Sequence, residues 1–271
     1  VAGADRARGV PRWLAGLIGL AVVLGAWWLL AVLVFRPEPG TTYTPLPTPW
    51  AVLSTMASDG FAPYWNIFQV TISEALVGFL WGNGLALLLA SLVLVAPWLE
   101  RVIVQIAVVT YCLPIVAVGG IAIIVLGGAD EPGGRSSTAV FLAALCCFFT
   151  TVVGALLGFR SADRASLDLI SVYGGGRVTQ LRKVRLVAAL PAILNALQIA
   201  VPTALLGAVL GEYMGKIDVS VGTQLIKFQQ VLDSERLWAL FLLSALVALI
   251  GYGLLGLVAR VVTPWVSGRT R

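Results

Sequence analysis

Six long apolar stretches, roughly 13–35, 65–95, 98–128, 137–159, 188–214 and 237–260, dictate what this chain can fold into. Each is long enough to cross a hydrocarbon core of about 30 Å as a helix. In lipid the backbone must satisfy its own N–H and C=O groups, and unbroken runs of this length do so as helices. The expected fold is therefore all-α and integral to the membrane, with six transmembrane helices. Hydrophobic residues fill 59% of the 271 positions and charged ones 11%, with mean hydropathy +0.96. Soluble domains carry about 25% charge, which excludes that class.

Arg6, Arg8 and Arg12 precede the first run as they would in a secretory leader. That run, Trp13 to Phe35, outlasts a leader's apolar region of about 7–15 residues, and no small-residue cleavage site precedes the Arg36-Pro-Glu-Pro-Gly break. A retained first helix is the expectation. Next come the Pro/Thr-rich stretch Thr41–Pro49 and a short amphipathic piece, Trp50–Ser58. Pro49 suits a first helical position, so a short helix at the membrane surface is expected there. The chain divides into 1–63 (first helix and external segment), a core at 64–262 with a loop at about 160–187, and a tail at 263–271.

Charge sets the direction. With the N-terminus inside, inner segments hold 13 of the 18 basic residues: Arg6, Arg8, Arg12, Arg101, Arg160, Arg164, Arg177, Arg182, Lys183, Arg185, Arg260, Arg269 and Arg271. Outer segments hold Arg36, Arg135, Lys216, Lys227 and Arg236. The positive-inside rule then places both termini in the cytoplasm, as six crossings require. The net charge of +5 is explained by this placement, and no nucleic-acid partner is implied.

Few residues invite chemistry. There is no histidine, and Cys112, Cys146 and Cys147 lie in apolar runs without metal-site or disulfide spacing, which fits packing. No catalytic or metal centre is expected. Glu74 and Glu212 fall inside apolar runs, where an ionisable group is costly enough to be a functional candidate. Glu74 is read as facing a translocation path or bonding Thr71, Ser73 or Asn83. Glu212, near the outer end of its span, is read as a gate-packing residue or one that reaches water. Pro114 and Pro202 interrupt spans, and Gly78, Gly82 and Gly84 form a small-residue face suited to close helix contact. Gly78, Pro114 and Pro202 join the two acids as path or gate candidates. Most tryptophans lie near span ends as anchors, whereas Trp27, Trp28 and Trp81 lie deeper, placed for helix packing or solute contact.

The segment from Arg160 to Val187 leaves the membrane yet is patterned to fold. Leu167, Ile170 and Val172 alternate with Ser166, Asp168 and Ser171. Gly174-Gly-Gly176 then breaks the helix, and Val178, Leu181 and Val184 recur at helical spacing among Arg177, Arg182, Lys183 and Arg185. A short helix, a glycine turn and a basic helix leading into a span can transmit a push. The same bases also fit topology enforcement and anionic headgroups.

This segment resembles the cytoplasmic loop of bacterial ABC importer permeases, written Glu-Ala-Ala, three residues, Gly, nine residues, Ile-x-Leu-Pro. Asp168 stands in the Glu position, Leu169-Ile170 replace the alanines, and Gly174, Val184 and Leu186 match, while Val187 replaces the proline. Leu190-Pro191, Thr71, Gly78-Phe79, Leu113-Pro114 to Gly127-Gly128, and Glu212-Tyr-Met214 are similar to the nitrate/sulfonate/taurine branch. The inserted Asp130–Arg135 departs from its pattern. The resemblance implies a type I importer permease fold over roughly residues 60–262, with a coupling helix. It implies coupling to the ATPase through Asp168, Ile170, Tyr173, Gly174, Gly175, Arg177, Leu181 and Val184. The implied partners are two cytoplasmic ATPase subunits that bind ATP and Mg, a second permease (identical or paralogous), and an external binding protein delivering a small polar or anionic solute. The setting is the bacterial inner membrane. The chain's nearest approach to a phosphate loop, Gly211-Glu-Tyr-Met-Gly215-Lys216, is one residue short and lacks the Ser/Thr, so no cofactor is expected here and ATP hydrolysis falls to other subunits. The alternative is a single-chain secondary transporter using Glu74, for which no internal repeat is visible.

Overall fold

The computed structural model describes residues 11–36, 43–129, 131, 133–215 and 219–267. Arg6, Arg8, Thr41, Asp130, Lys216, Arg269 and Arg271 lie outside the described residues, as do the side chains of Arg12 and Arg177. In chain order the helices are α1 (Arg12–Leu33), α2 (Pro49–Asp59), α3 (Phe61–Val95), α4 (Leu99–Cys112), α5 (Ile115–Leu126) and α6 (Ser137–Arg160). They continue with α7 (Arg164–Val172), α8 (Arg177–Gln180), α9 (Leu186–Gly215), α10 (Val221–Gln230), α11 (Ser234–Val262) and α12 (Pro264–Ser267). A π-helical stretch, Leu181–Arg185, joins α8 to α9.

The chain forms two compact units. The first holds α1, α2 and residues 227–241. The expected short helix is present as α2, with Pro49 at its first turn and Thr48 capping it through the Ala51 N–H at 3.3 Å. The Pro/Thr-rich segment before it cannot pair its own carbonyls, because prolines supply no N–H. Two indoles do so instead: Trp27 donates to Pro47 O at 3.0 Å and Trp238 to Pro45 O at 3.2 Å. The two rings meet at 5.3 Å, and Trp238 meets Phe241 edge-on at 5.6 Å. Trp238 is therefore a packing residue as well as an end-of-span tryptophan. Trp28 and Trp81, by contrast, lie on uncovered faces. Arg236 clamps Asp59 with two bonds of 2.8 Å and reaches Asp233 at 2.8 Å, while Thr55 bonds Glu235. Trp27→Phe keeps a ring but orphans Pro47 O, at a cost of about 1 kcal/mol. Faster protease nicking within 43–48, with little change in global unfolding, is the expected result.

In the second unit α6 lies between α3 and α9, in contacts built on small residues. A Cβ on Gly78 would sit 2.4 Å from Ala143 Cβ, and one on Gly82 would sit 2.3 Å from Ala144 O and 2.6 Å from Cys147 Sγ. On the α9 side, a Cβ on Gly207 would meet Leu142 O at 2.5 Å, and one on Gly211 would meet Ala139 Cα at 2.4 Å. Lipid supplies no hydrophobic drive between helices, so this close approach is what associates them. Gly84, expected on the same face as Gly78 and Gly82, has nothing within 4 Å. Gly78 and Gly82 are four residues apart and share a face, whereas Gly84 is turned away from it. Cys147 is buried in the contact, but Cys112 is exposed.

The third apolar run is not one straight helix. It breaks at Leu113-Pro114 into α4 and α5, inclined at 95°. Proline excludes the helical conformation from the residue before it, and Leu113 is accordingly extended with ψ 132°. The pair still crosses the unit. It starts beside the C-terminal end of α6, where Glu100 pairs with Arg160, and finishes at its N-terminal end, where Thr138 donates to Gly127 O at 2.8 Å. Helices of 14 and 12 residues rise about 21 and 18 Å, so a right-angled pair covers about 28 Å. Five helices among the described residues are long and apolar enough to cross a membrane, one near the N-terminus at Trp13–Leu33, and the bent pair brings the candidate spans to as many as six. The fifth is longer than the apolar run, continuous from Val178 to Gly215.

Candidate functional site: a hairpin at one end, a carboxyl pair at the other

The loop after α6 folds as a hairpin. Asp163 caps α7 by accepting the Ser166 N–H at 3.3 Å. Gly174 ends the helix with φ +78°, a left-handed conformation that suits glycine, and donates to Ser171 O at 3.0 Å. Gly175 donates to Ile170 O at 2.8 Å, and a Cβ there would lie 2.4 Å from Ile170 Cγ2. The two glycines therefore do different work, one for backbone angle and one for room. Gln180 closes the hairpin by donating to Leu167 O at 3.0 Å and Ser171 Oγ at 2.8 Å. Its role was hidden in the sequence because both partners lie across the turn.

Of the coupling candidates, Asp168, Tyr173 and Gly174 are exposed, and Ile170, Gly175, Leu181 and Val184 are partly covered. Tyr173 and Val172 are each 83% exposed at the tip, with Leu169 and Val178 also exposed. The hairpin thus leaves four apolar side chains uncovered on an otherwise polar loop. Arg177 opens α8 there. At the base, Ser161 donates to Gly158 O at 2.7 Å and Ala188 O at 3.1 Å, tying the end of α6 to the start of α9.

The opposite end of α6 carries the two intramembrane acids. Glu74 on α3 and Glu212 on α9 are both fully buried, with 0% exposure. Of the two readings of Glu212, the one that reaches water is excluded in this structure, because residues 220–222 at the start of α10 fold over it. Glu74 Oε1 accepts the Ser136 N–H at 2.5 Å, at the start of α6. Glu212 Oε2 accepts the Gly222 N–H at 2.8 Å, at the start of α10. A Cβ on Gly222 would strike Val209 O at 2.5 Å, so only glycine brings that N–H within reach. Thr71 Oγ1 accepts the Val221 N–H at 3.2 Å.

The remaining oxygens, Glu74 Oε2 and Glu212 Oε1, face no donor. The two carboxyl groups are neighbours, and a proton shared between them would give each a partner. Glu74 therefore takes neither Ser73 nor Asn83 as its partner. Ser73 bonds Val70 O at 2.8 Å, and Asn83 accepts from Thr151 and donates to Phe79 O at 2.7 Å. Glu74 fastens the interior of α3 to the start of α6, and Glu212 fastens the end of α9 to the start of α10. Gly78 lies in the α3–α6 contact, Pro114 at the α4–α5 break, and Pro202 within α9.

Comparison with known proteins agrees with this architecture. Residues 82–271 match the family model described as "Binding-protein-dependent transport system inner membrane component". The chain is 28% identical over 241 residues to a "Probable ABC transporter permease protein" of Haemophilus influenzae, covering 89% of this chain and 93% of the relative. It is 26% identical over 268 residues to the "Riboflavin transport system permease protein RibX" of Chloroflexus aurantiacus, covering 96% and 94%. Five to six candidate spans, a structured hairpin between α6 and α9, and a family match over most of the chain have one meaning: this chain belongs to the binding-protein-dependent inner membrane components and is an ABC transporter permease.

Proposed function

We propose that this permease forms half of the translocation pathway of an ATP-driven importer in the bacterial inner membrane. A second permease, identical or paralogous, supplies the other half. Two cytoplasmic ATPase subunits bind ATP and Mg and drive it, and an external binding protein delivers a small polar solute. The distribution of bases, 13 of 18 on the hairpin side, supports placing the hairpin and both termini in the cytoplasm. The riboflavin transport relative supports a vitamin-like solute, and the sequence motifs of the nitrate/sulfonate/taurine branch support a small anion.

The observation that carries this reading is the hairpin. Its exposed tip, Val172-Tyr173, is held by the Gly174-Gly175 turn and Gln180, and its second arm runs unbroken into the helix Val178–Gly215. A push on the tip thus reaches a membrane helix without a slack joint. A single-chain transporter is disfavoured because Glu74, the group it would use, is sealed against Glu212. Val172→Asp with Tyr173→Asp tests the proposal, since both side chains are exposed and contribute nothing to the fold. Purified in mild detergent, the unaltered chain is expected to bring an ATPase subunit with it, and the variant to elute normally but alone. Equal recovery of the ATPase with both would remove the hairpin from the docking site.

A further inference from the structure

We propose that the groove between α9 and α11 binds the transported solute, and that this solute is a planar heterocycle with a lactam or imide edge; the proposal rests on the permease reading above. The groove encloses about 680 Å³, within the range of small-molecule sites. Pro191, Asn195, Gln198, Tyr252, Arg260 and Thr263 contribute to its lining.

Asn195 and Gln198 are three residues apart on α9, so their carboxamides share one face. Asn195 is exposed and has no hydrogen-bond partner among the described residues. A bare amide toward hydrocarbon costs several kcal/mol, so this face is not built for lipid. The rest of the exposed surface of α11, with Leu246, Leu249, Leu254 and Val261, is apolar.

Gln198 is held in place. Its Nε2 donates to Tyr252 O at 3.2 Å, and Gly256 leaves the room, since a Cβ there would lie 2.6 Å from that nitrogen. The orientation leaves Gln198 Oε1 to accept. Asn195 beside it offers a donor and an acceptor together. A carboxamide pairs in this way with an adjacent N–H and C=O, as Asn and Gln do on the edge of adenine. The exposed Tyr252 supplies an aromatic wall on the same groove.

Arg260 lines the same groove. Val201 meets Gly251 and Gln198 meets Gly256, so α9 and α11 run antiparallel and Arg260 stands near the level of Asn195. A sulfonate or nitrate would meet that cation but has no adjacent N–H and C=O for Asn195 to pair with.

The test uses the full-length chain in lipid vesicles, with Cys112, Cys146 and Cys147 replaced by alanine and Asn195→Cys introduced. Tyr252→Cys serves as a second reporter on the other helix, Val172→Cys as an accessible control and Leu254→Cys as a lipid-facing one. A charged methanethiosulfonate reagent is expected to modify Asn195→Cys and Tyr252→Cys, but not Leu254→Cys. Saturating riboflavin, the probe heterocycle, is expected to slow both modifications several-fold, while taurine and nitrate leave them unchanged. Unreactive cysteines at both groove positions, with Val172→Cys reactive, would mean that lipid or a second copy fills the groove and would overturn the proposal. Protection by taurine or nitrate, or none by riboflavin, would overturn the assigned chemistry. Recovery of the ATPase with the unaltered chain reports separately on the permease reading.

Discussion

Glu212→Ala is expected to lower the unfolding midpoint of the detergent-solubilised protein by on the order of 10 °C, and Glu212→Gln by a few degrees at most. Alanine removes three things at once. The Gly222 N–H loses its acceptor, Glu74 loses the carboxyl beside it, and a side-chain-sized void opens where α9 meets the α10 turn. Leaving a buried N–H without its acceptor costs about 1–3 kcal/mol, and the cavity adds about 2 kcal/mol or more. Glutamine is the informative contrast. Its carbonyl still accepts from Gly222, and its NH₂ donates to Glu74 without a shared proton. Glu74→Gln follows by the same reasoning, with Ser136 as the retained donor. Differential scanning fluorimetry on the four proteins (parent, alanine variant and the two glutamine variants) measures the ordering. If alanine and glutamine at position 212 lower the midpoint equally, the carboxyls do not bond each other and the clamp is wrongly described.

A comparable loss is expected from Gly207→Val, with Gly84→Val as its matched control. At position 207 the first added carbon lies 2.5 Å from Leu142 O and 2.7 Å from Ala143 Cα, both on the backbone of α6. No rotamer relieves that contact, so α6 and α9 must separate along their main interface. Overpacking a core costs about 1–3 kcal/mol where side chains can shift, and backbone-limited contact belongs at or above the top of that range. Gly84 is on the same kind of apolar helix, but nothing stands within 4 Å of its would-be Cβ. The variant there is expected to elute as the parent does, while Gly207→Val aggregates or fails to accumulate in the membrane fraction. Size-exclusion profiles of fluorescent fusions distinguish them. Similar behaviour of the two variants would mean that the α6–α9 contact is looser than described.

Much of this architecture is legible in the residues themselves. The apolar runs locate every crossing, because lipid leaves the backbone no other way to satisfy its polar groups. Gly174-Gly-Gly176 between two short patterned stretches announces the hairpin. What escapes the sequence is pairing across distance. Glu74 and Glu212 read as two separate acids, and nothing in the 137 residues of intervening chain says that they meet. Trp27 and Trp238 likewise read as unrelated aromatics, although their indoles jointly hold a proline-rich segment. Pro114 signals a break, but its 95° angle is set by where α6 leaves room for α4 and α5. The polar face of α9 was passed over for a simpler reason. Asn195 and Gln198 are neutral, and a neutral amide interrupts an apolar run far less visibly than a charge.

The π-helical stretch at Leu181–Arg185 sets the phase of the fifth crossing. The Leu186 N–H bonds Leu181 O, five residues back, so this turn contains one residue more than an α-helical turn needs. Each residue of an α-helix advances about 100° around its axis. The extra residue therefore sets the hairpin's azimuth about 100° away from where an unbroken α-helix would place it. Which side of the hairpin an approaching subunit meets is, in this protein, a quantity adjustable in steps of one residue, without altering either the hairpin or the span.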